Sequence, residues 1–428
     1  MASPITATSS MQSDSQPAIR MNTIESDTPI KVLLLENVHS TGEALLKDCG
    51  FEIERMAGAP AESDLIEQLH DVHLLGIRSK TQITEDVLRH APNLLGIGCF
   101  CIGTNQVNLD AACHRGVAVF NAPFSSTRSV AELTLAEIIA LHRRMPEKSA
   151  RLHEGRWDKS ASNSHEVRGR TLGIVGYGHI GSQLSILAEA LGMQVLFYDI
   201  ATKLPLGNAC SAETLEELLR ESDCVSVHVP ATELTANMIS RRELELMKPG
   251  AHLINNSRGS VVDLDALHDA LSSGHLGGAA VDVYPVEPYS NDETFECPLA
   301  GLPNVILTPH VGGSTEEAQE SIASEVASKL ARFVTNGSTS TSVNVPEVDL
   351  PKLHPDQHRI LHFHRNVPGV LSKMHKMLAD LDVNISGEFL QSNADVSYVI
   401  LDIDPKHKDD VREGLQRIEE TIRVRTLD

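Results

Sequence analysis

The sequence predicts an α/β protein of two or three domains, and three observations support this fold class. Apolar segments of strand length alternate with helical segments from Lys31 to about residue 333, as in parallel sheets. The run from Thr171 to Asp199 reads as strand, glycine turn, helix and strand. From Arg359 onward the order is strand, helix, strand, strand, helix, strand, which is typical of a ferredoxin-like α+β unit. A length of 428 residues agrees with more than one hydrophobic core.

Composition restricts the classes of partner. With 36 Lys and Arg against 58 Asp and Glu, the formal net charge is −22, which argues against nucleic acid and anionic membranes. An anionic substrate would therefore need a local basic pocket. No apolar run is long enough to span a bilayer. The seven cysteines show no paired spacing, and Cys99 and Cys101 are interpreted as buried strand residues, so we expect a cytoplasmic protein without a metal site.

The first residues, 1–29, are rich in Ser and Thr, contain several acids and lack apolar periodicity, which predicts a disordered arm. One arginine is too few for a transit peptide. A first α/β unit follows, and its strand Leu74–Ile77 ends at the cationic and hydroxyl cluster Arg78, Ser79 and Lys80. Ligands bind at the carboxyl ends of parallel strands, so this cluster is a candidate substrate site; a solvated loop is the alternative.

The glycine run is a candidate dinucleotide site. Gly176 would make the tight turn, Gly178 would admit a pyrophosphate and Gly181 would allow close packing of the helix, whose N-terminus, with His179 and Ile180, would face the phosphates. Asp199 follows the second strand and is placed to accept from ribose hydroxyls, which favours NAD over NADP. Lys203 lies near enough to leave NADP open.

Polar residues follow three later strands. Arg258 follows the predicted strand Ala251–Asn255, Glu287 follows Gly278–Val283, and His310 follows Val305–Leu307. A guanidinium that grips a carboxylate, a histidine that titrates near neutral pH and an orienting acid suffice to oxidise a 2-hydroxy acid with a nicotinamide acceptor. A lone Arg or Glu could be a surface charge. A histidine between an apolar strand and a glycine turn contributes little to packing. The three residues together therefore indicate this chemistry more specifically than any one of them does.

With the glycine fingerprint, these segments resemble the D-isomer-specific 2-hydroxyacid dehydrogenase family. The resemblance implies that Arg258 binds the substrate's carboxylate, that His310 moves the hydroxyl proton, that Glu287 orients the imidazole and that Asp282 contacts the cofactor's carboxamide. It also implies further contacts to NAD, from Asn256, Ser257, Arg258, His310, Val311, Gly312 and Gly313. A helix that begins near Ser314 would return the chain to the first unit. The resemblance thus implies a Rossmann-type NAD-binding domain, residues 128–309, inserted in a discontinuous flavodoxin-like substrate-binding domain, residues 30–127 and 310–335.

The C-terminal segment, residues 357–428, resembles an ACT domain, an amino-acid-binding module of dimer interfaces. A linker, residues 336–356, precedes it. In serine-inhibited members of the dehydrogenase family, the residues corresponding to His364, Asn366 and Asn384 hold the effector. The alternative is a plain dimerisation module.

The combination resembles the subfamily that oxidises 3-phospho-D-glycerate to 3-phosphohydroxypyruvate in the first step of L-serine synthesis. This implies feedback inhibition by L-serine and a homotetramer that associates through its nucleotide-binding and ACT domains; it leaves the reduction of 2-oxoglutarate open. Arg78, Ser79 and Lys80 would meet the phosphate, with Lys159 as a weaker candidate. The departures are the N-terminal arm, which is extra, Lys80, where an Arg is also expected, and Asn256, which replaces a smaller residue. The alternatives are another D-2-hydroxyacid dehydrogenase and an NADH-sensing corepressor, both of which normally lack the C-terminal segment.

Overall fold

The structure, a computed structural model, describes residues 29–288, 293–354 and 356–428. The predicted disordered arm therefore lies outside the described residues, except for Pro29. Two compact units make up the described chain. The first contains the described residues up to Val38, together with Glu43–Asn121 and Val326–Asp428, and the second contains His39–Gly42 and the described residues of Ala122–Glu325.

The first unit begins with a parallel five-stranded sheet in the order β2-β1-β3-β4-β5, which is the flavodoxin-like order. Its strands are β1 (Lys31–Leu34), β2 (Glu52–Arg55), β3 (Leu74–Ile77), β4 (Gly96–Cys99) and β5 (Ala118–Asn121). The helices between them are α1 (Ser40–Asp48), α2 (Glu62–Gln68), α3 (Glu85–Arg89) and α4 (Leu109–His114). Every residue of β3, β4 and β5 is buried, as expected of parallel strands that are covered on both faces.

The second unit is a parallel seven-stranded sheet in the order β12-β11-β10-β9-β6-β7-β8. The order reverses beside β6, the position at which open α/β sheets bind ligands. Two helices, α5 (Thr127–His142) and α6 (Met145–His153), precede the sheet. Its elements are β6 (Thr171–Val175), α7 (His179–Ala190), β7 (Gln194–Tyr198), β8 (Cys210–Ser211), α8 (Leu215–Glu221), β9 (Cys224–Val227), α9 (Arg241–Leu246), β10 (His252–Asn255), α10 (Leu264–Ser272), β11 (Gly278–Val281) and β12 (Val305–Leu307).

Helix α11 (Glu316–Asn336) leads to the C-terminal four-stranded antiparallel sheet, in the order β14-β15-β13-β16. Its elements are β13 (His358–Arg365), α12 (Val370–Asp380), β14 (Ile385–Ser392), β15 (Val396–Ile403), α13 (Lys408–Gln416) and β16 (Thr421–Leu427). The expected α/β class, with two parallel sheets and a C-terminal α+β unit, is therefore confirmed.

The segment after α11 is packed, although its composition predicts a loose linker. Ser338 and Thr339 are buried, and their hydroxyls donate to the carbonyls of Val348 and Pro346. The Tyr398 hydroxyl of β15 donates to the carbonyl of Gly337. Polar residues here satisfy backbone groups, so their polarity does not indicate exposure.

Side-chain caps set the first residues of two helices. Helix α8 begins at Leu215 with Thr214 as its cap, because Cys210 and Ser211 pair with β7 as a short strand. Helix α11 begins at Glu316 and is capped by Thr315, whose side chain accepts from the N–H of Ala318. Among the described residues, no helix combines the length and apolar character needed to cross a membrane.

Candidate active site

The glycine turn after β6 has the geometry expected of a dinucleotide site. Gly176 has a φ of +93°, and a Cβ built there would lie 2.5 Å from the carbonyl oxygen of His228. A Cβ at Gly181 would lie 2.3 Å from the carbonyl oxygen of Gly176. A Cβ at Gly178 would meet nothing within 4 Å, so that glycine faces open space. The first and third glycines are thus required by the fold, and the second leaves room for a ligand.

The helix that follows the turn offers its first N–H groups without a side-chain cap. Helix α7 begins at His179, and Gly178 is its N-cap, so no cap side chain competes for these donors. Asp199, at the end of β7, lies beside the same turn because its Oδ2 accepts from the N–H of Tyr177 at 2.9 Å. Its Oδ1 accepts from the N–H of Ala201 at 2.9 Å. Each carboxylate oxygen retains a lone pair for a ribose hydroxyl.

Arg258 stands in a turn that the side chain of Asn255 organises. The buried Asn255 accepts from the Ser257 N–H at 3.2 Å and hydroxyl at 2.8 Å, and its amide donates to the carbonyl of Arg258 at 3.0 Å. Within the described residues, the half-buried guanidinium donates one hydrogen bond, from Nη1 to the Ser257 carbonyl at 2.6 Å. Its remaining donors are available to a carboxylate.

His310 and Glu287 form a hydrogen-bonded pair in the second unit. The Nδ1 of His310 donates to Glu287, at 2.8 Å to Oε2 and 3.1 Å to Oε1, so Nε2 remains for a substrate. The hydrogen bond that His310 donates to Glu287 raises the pKa of His310, against an opposing effect of burial and of the Arg258 charge. Burial opposes ionisation of Glu287, yet hydrogen bonds from His310 and the Tyr284 N–H, with the charges of His310 and Arg258, lower its pKa. Both partners are therefore biased towards their charged forms.

The buried Asp282 holds the turn that carries His310. Its Oδ1 accepts from the Thr308 hydroxyl at 2.6 Å and the Val311 N–H at 2.8 Å, and its Oδ2 accepts from the Gly312 N–H at 2.8 Å. His310 has a left-handed φ of 53°, which is costly for a residue other than glycine. The contacts of Asp282 offset that cost. The family resemblance implies only a cofactor contact for Asp282, and the sequence pattern does not reveal this second role.

Asn256 points towards helix α5 in the described structure. Its amide donates to Glu137 Oε2 at 2.7 Å and to the Thr134 hydroxyl at 3.0 Å, and all three side chains are buried. Burial raises the pKa of Glu137 to about 7, although the Asn256 hydrogen bond works in the opposite direction. Asn256, one of the departures from the family pattern, thus forms a buried contact between α5 and the turn after β10.

In the first unit, Arg78, Ser79 and Lys80 form the loop directly after β3, at its carboxyl end. Arg78 is half-buried, and Ser79 and Lys80 are exposed. Neither cation forms a salt bridge with a carboxylate among the described residues. Lys159, in the second unit, is exposed and likewise has no salt bridge in the part of the chain that the structure describes. The two cations of the loop are therefore available to an anionic ligand, and the same holds for Lys159.

The three predicted effector residues lie at two different ends of the C-terminal sheet. His364 and Asn366 are at the end of β13, where His364 pairs with Ser397 and Ser397 pairs with Ser392. Asn384 precedes Ile385, which pairs at the other end of the sheet with Ile403, the partner of His358. An eight-residue strand is roughly 25 Å long, so one chain does not bring Asn384 to the other two.

Several site residues were not predicted from the sequence. Asn255, Glu137, Glu36 and Gln106 bind backbone or side-chain groups of the candidate site, and each lies at an ordinary position of a strand end, helix or loop. Asn255 could have been noticed as a polar residue that ends an apolar strand. Among the described residues, no group of three or more His, Cys, Asp or Glu side chains is arranged to hold a metal ion.

Two parts of the chain match known family models. Residues 135–312 match the family model of the D-isomer specific 2-hydroxyacid dehydrogenase NAD binding domain, and residues 360–425 match an AHAS small subunit-like ACT domain. The chain is 53% identical over 403 residues to D-3-phosphoglycerate dehydrogenase of Escherichia coli (strain K12), covering 93% of this chain and 97% of that protein. It is 49% identical to D-3-phosphoglycerate dehydrogenase 1 of Saccharomyces cerevisiae, over 92% of this chain and 86% of that protein.

A solved structure shows the same fold with its cofactor. D-Lactate dehydrogenase from Aquifex aeolicus, complexed with NAD and lactic acid, matches with a TM-score of 0.61 and 30% identity over 71% of this chain and 95% of that one. The matched NAD binding domain contains the glycine turn, Asp199 and the Arg258 turn, so the chain is an NAD-dependent oxidoreductase. The chain belongs to the D-isomer specific 2-hydroxyacid dehydrogenase family, on the branch of the D-3-phosphoglycerate dehydrogenases.

Proposed function

We propose that the protein oxidises 3-phospho-D-glycerate to 3-phosphohydroxypyruvate with NAD, the first step of L-serine biosynthesis, and catalyses the reverse reduction. The observation that carries the reaction type is the 2.8 Å hydrogen bond between His310 Nδ1 and Glu287, which leaves Nε2 for a substrate hydroxyl. The substrate is supported by the relatives' activity and by two cations, Arg78 and Lys80, that no carboxylate pairs with among the described residues.

Each residue of the candidate site has its own role in the proposed reaction. Arg258 binds the carboxylate of the substrate through its available guanidinium donors. In oxidation, Nε2 of His310 takes the hydroxyl proton, and Glu287 stabilises the resulting imidazolium. Bound NAD supplies the hydride acceptor. Gly178, the first N–H groups of α7 and Asp199 would hold its pyrophosphate and ribose, and Asn256, Ser257, Asp282 and residues 311–313 would surround its nicotinamide end.

The test is NADH oxidation with 3-phosphohydroxypyruvate, compared with its unphosphorylated analogue hydroxypyruvate. We expect kcat/KM to be higher for the phosphorylated substrate by at least about a hundredfold, since two cations contact the phosphate. Arg78→Ala should remove most of this preference. Exposed Arg242 lies on helix α9, and Arg242→Ala serves as a matched control. Equal kcat/KM for the two substrates in the unaltered protein would contradict the proposal, and 2-oxoglutarate in the same assay tests the side activity.

We further propose that L-serine inhibits the enzyme by binding to the C-terminal domain of a homotetramer that associates through its nucleotide-binding and ACT domains. The opposite placement of Asn384 and of His364 with Asn366 supports a site built from two chains. Asn366→Ala should abolish inhibition and retain turnover in the absence of serine. Unchanged inhibition would contradict the effector site. A dimer or monomer in sedimentation equilibrium of the full chain would contradict the tetramer.

The proposed compartment is the cytoplasm. Cys99 and Cys224 are buried as thiols in β4 and β9, and burial raises the pKa of both. Buried thiols of this kind suit a reducing compartment.

A further inference from the structure

A buried carboxylate lies beneath the loop of Arg78 and Lys80. Glu36, directly after β1, is 8% exposed and accepts three hydrogen bonds from backbone N–H groups of that loop. Its Oε1 accepts from Arg78 at 3.2 Å and from Thr81 at 2.9 Å, and its Oε2 accepts from Lys80 at 3.0 Å. Both carboxylate oxygens are therefore used to fix the backbone of one four-residue loop.

A second buried side chain holds the same loop through a carbonyl. Gln106, which is 3% exposed, donates from Nε2 to the carbonyl of Arg78 at 2.6 Å, and its side chain also reaches the carbonyl of Gly103 at 3.3 Å. The peptide groups on both sides of Arg78 are thus bonded to buried side chains. The guanidinium of Arg78 and the ammonium of Lys80 take no part in these bonds.

The backbone around Glu36 supports a dedicated role. Glu36 and Asn37 have φ values of 57° and 52°, in the left-handed region that residues other than glycine rarely adopt. Such conformations are costly and persist where the surrounding structure requires them. In this turn the carboxylate of Glu36 lies within hydrogen-bond distance of three N–H groups of the loop.

We infer that Glu36 is a positioning residue for substrate recognition, which holds Arg78 and Lys80 in the geometry that binds the anionic group of the substrate. The inference rests on the proposed function, because it assigns the phosphate to this loop. The carboxylate binds backbone N–H groups only, so it stabilises the loop without pairing with the two cations. A loop fixed before binding loses less conformational entropy when the substrate arrives, and the gain appears as affinity for the phosphorylated substrate.

The experiment compares KM for 3-phosphohydroxypyruvate with KM for hydroxypyruvate in four full-length proteins: the unaltered enzyme, Glu36→Gln, Arg78→Ala and Glu54→Gln. Glutamine has nearly the shape of glutamate, but its NH₂ group would face a backbone N–H, so at least one of the three bonds is lost. Glu54→Gln removes the same charge from an exposed position of β2 and is the matched control. We expect Glu36→Gln to raise KM for 3-phosphohydroxypyruvate about tenfold relative to KM for hydroxypyruvate. The reason is that Arg78 and Lys80 would be displaced from the phosphate.

The outcomes separate the two hypotheses. A shifted ratio in Glu36→Gln and Arg78→Ala, but not in Glu54→Gln, supports the inference. A shift in Arg78→Ala alone overturns the role of Glu36 and leaves the proposed function standing. No shift in Arg78→Ala overturns the phosphate site, and the inference with it. A merely structural role would raise both KM values together and leave their ratio unchanged.

If Glu36→Gln does not fold, as judged by the loss of NADH binding, Gln106→Met decides the matter. Methionine fills a similar volume but cannot donate to the carbonyl of Arg78. The same shift of the KM ratio would support the inference that buried side chains position the loop of Arg78 and Lys80. An unchanged ratio would overturn that inference.

Discussion

At the scale of single residues, the candidate site depends on side chains whose backbone is itself held by buried acceptors. His310 occupies a left-handed conformation that Asp282 stabilises through the N–H groups of Val311 and Gly312. Arg258 occupies a turn that Asn255 stabilises, and Arg78 occupies a loop that Glu36 stabilises. The groups that would touch substrate are therefore positioned before substrate binds, which is the condition for efficient proton transfer and anion recognition.

The first prediction concerns His310. We expect His310→Asn to lower kcat by about 10²–10⁴-fold, the usual contribution of a general acid or base, because asparagine cannot exchange the proton. Asparagine is preferred to alanine because it tolerates a left-handed backbone, so the turn should persist. Binding of NADH, followed by fluorescence titration, should be retained. Exposed His90→Asn, at the end of α3, is the control, and a normal kcat in His310→Asn would refute the proton-transfer role.

The second prediction concerns pH. Glu287 raises the pKa of His310, and reduction of an oxo acid needs the protonated imidazole, so the rate should fall as pH rises through that pKa. Glu287→Gln removes the charge that favours the imidazolium, so the pKa of His310 should fall. The alkaline limb of the kcat/KM profile should then move to lower pH. An alkaline limb at the same pH in both proteins would show that Glu287 does not control this titration.

At the scale of elements, the sequence predicted the strands more accurately than the hydrogen bonds that hold the turns and loops after them. Strands β3 and β12 begin and end at the predicted residues, because each reads as a short uninterrupted apolar run. The sequence also predicted roles for Arg258, Glu287 and His310, since each is a polar residue a few positions after an apolar strand. It could not indicate Glu137 or Glu36, because each contacts a residue distant in sequence, and local patterns contain no information on such contacts.

The third prediction concerns helix α5 and the turn after β10, which Glu137 and Asn256 join. Burial raises the pKa of Glu137 from 4.5 to about 7, so the folded protein retains a proton there that the unfolded chain releases. This contribution to stability is fully present below about pH 4.5 and is lost as pH rises to about 7. The shift corresponds to about 3 kcal/mol.

Glu137→Gln, which cannot ionise, should therefore remove this part of the pH dependence. We expect the variant to gain stability relative to the unaltered protein between pH 5 and 8, measured as the difference between their urea midpoints at each pH. Glu132→Gln changes an exposed carboxylate on the same helix and should show no such trend. Parallel pH profiles for Glu137→Gln and the unaltered protein would refute the argument.

At the scale of the whole molecule, one buried ion pair joins the C-terminal sheet to the segment before it within the first unit. Arg359 of β13 donates from Nε and Nη2 to the two carboxylate oxygens of Asp402 of β15, at 2.6 and 2.7 Å. Its Nη1 also donates to the carbonyls of Asn336 and Pro351, both at 3.0 Å. The sequence shows neither contact. The segment after α11 is rich in hydroxyl side chains, which predicts a loose connection. Composition shows that these residues are polar, but it does not show which groups they bind.

The last prediction follows from the energetics of that pair. Asp402→Ala leaves the guanidinium of Arg359, whose side chain is fully buried, without its counter-charge, so we expect a loss of about 3–5 kcal/mol in unfolding free energy, measured by urea denaturation. The double variant Arg359→Met, Asp402→Leu removes both charges and should lose much less, because no unpaired charge stays buried. Asp71→Ala breaks the exposed pair with Lys31 and should change the midpoint little. A double variant as unstable as Asp402→Ala would show that the ion pair itself, rather than the penalty of an unpaired charge, holds the C-terminal sheet to the chain before it.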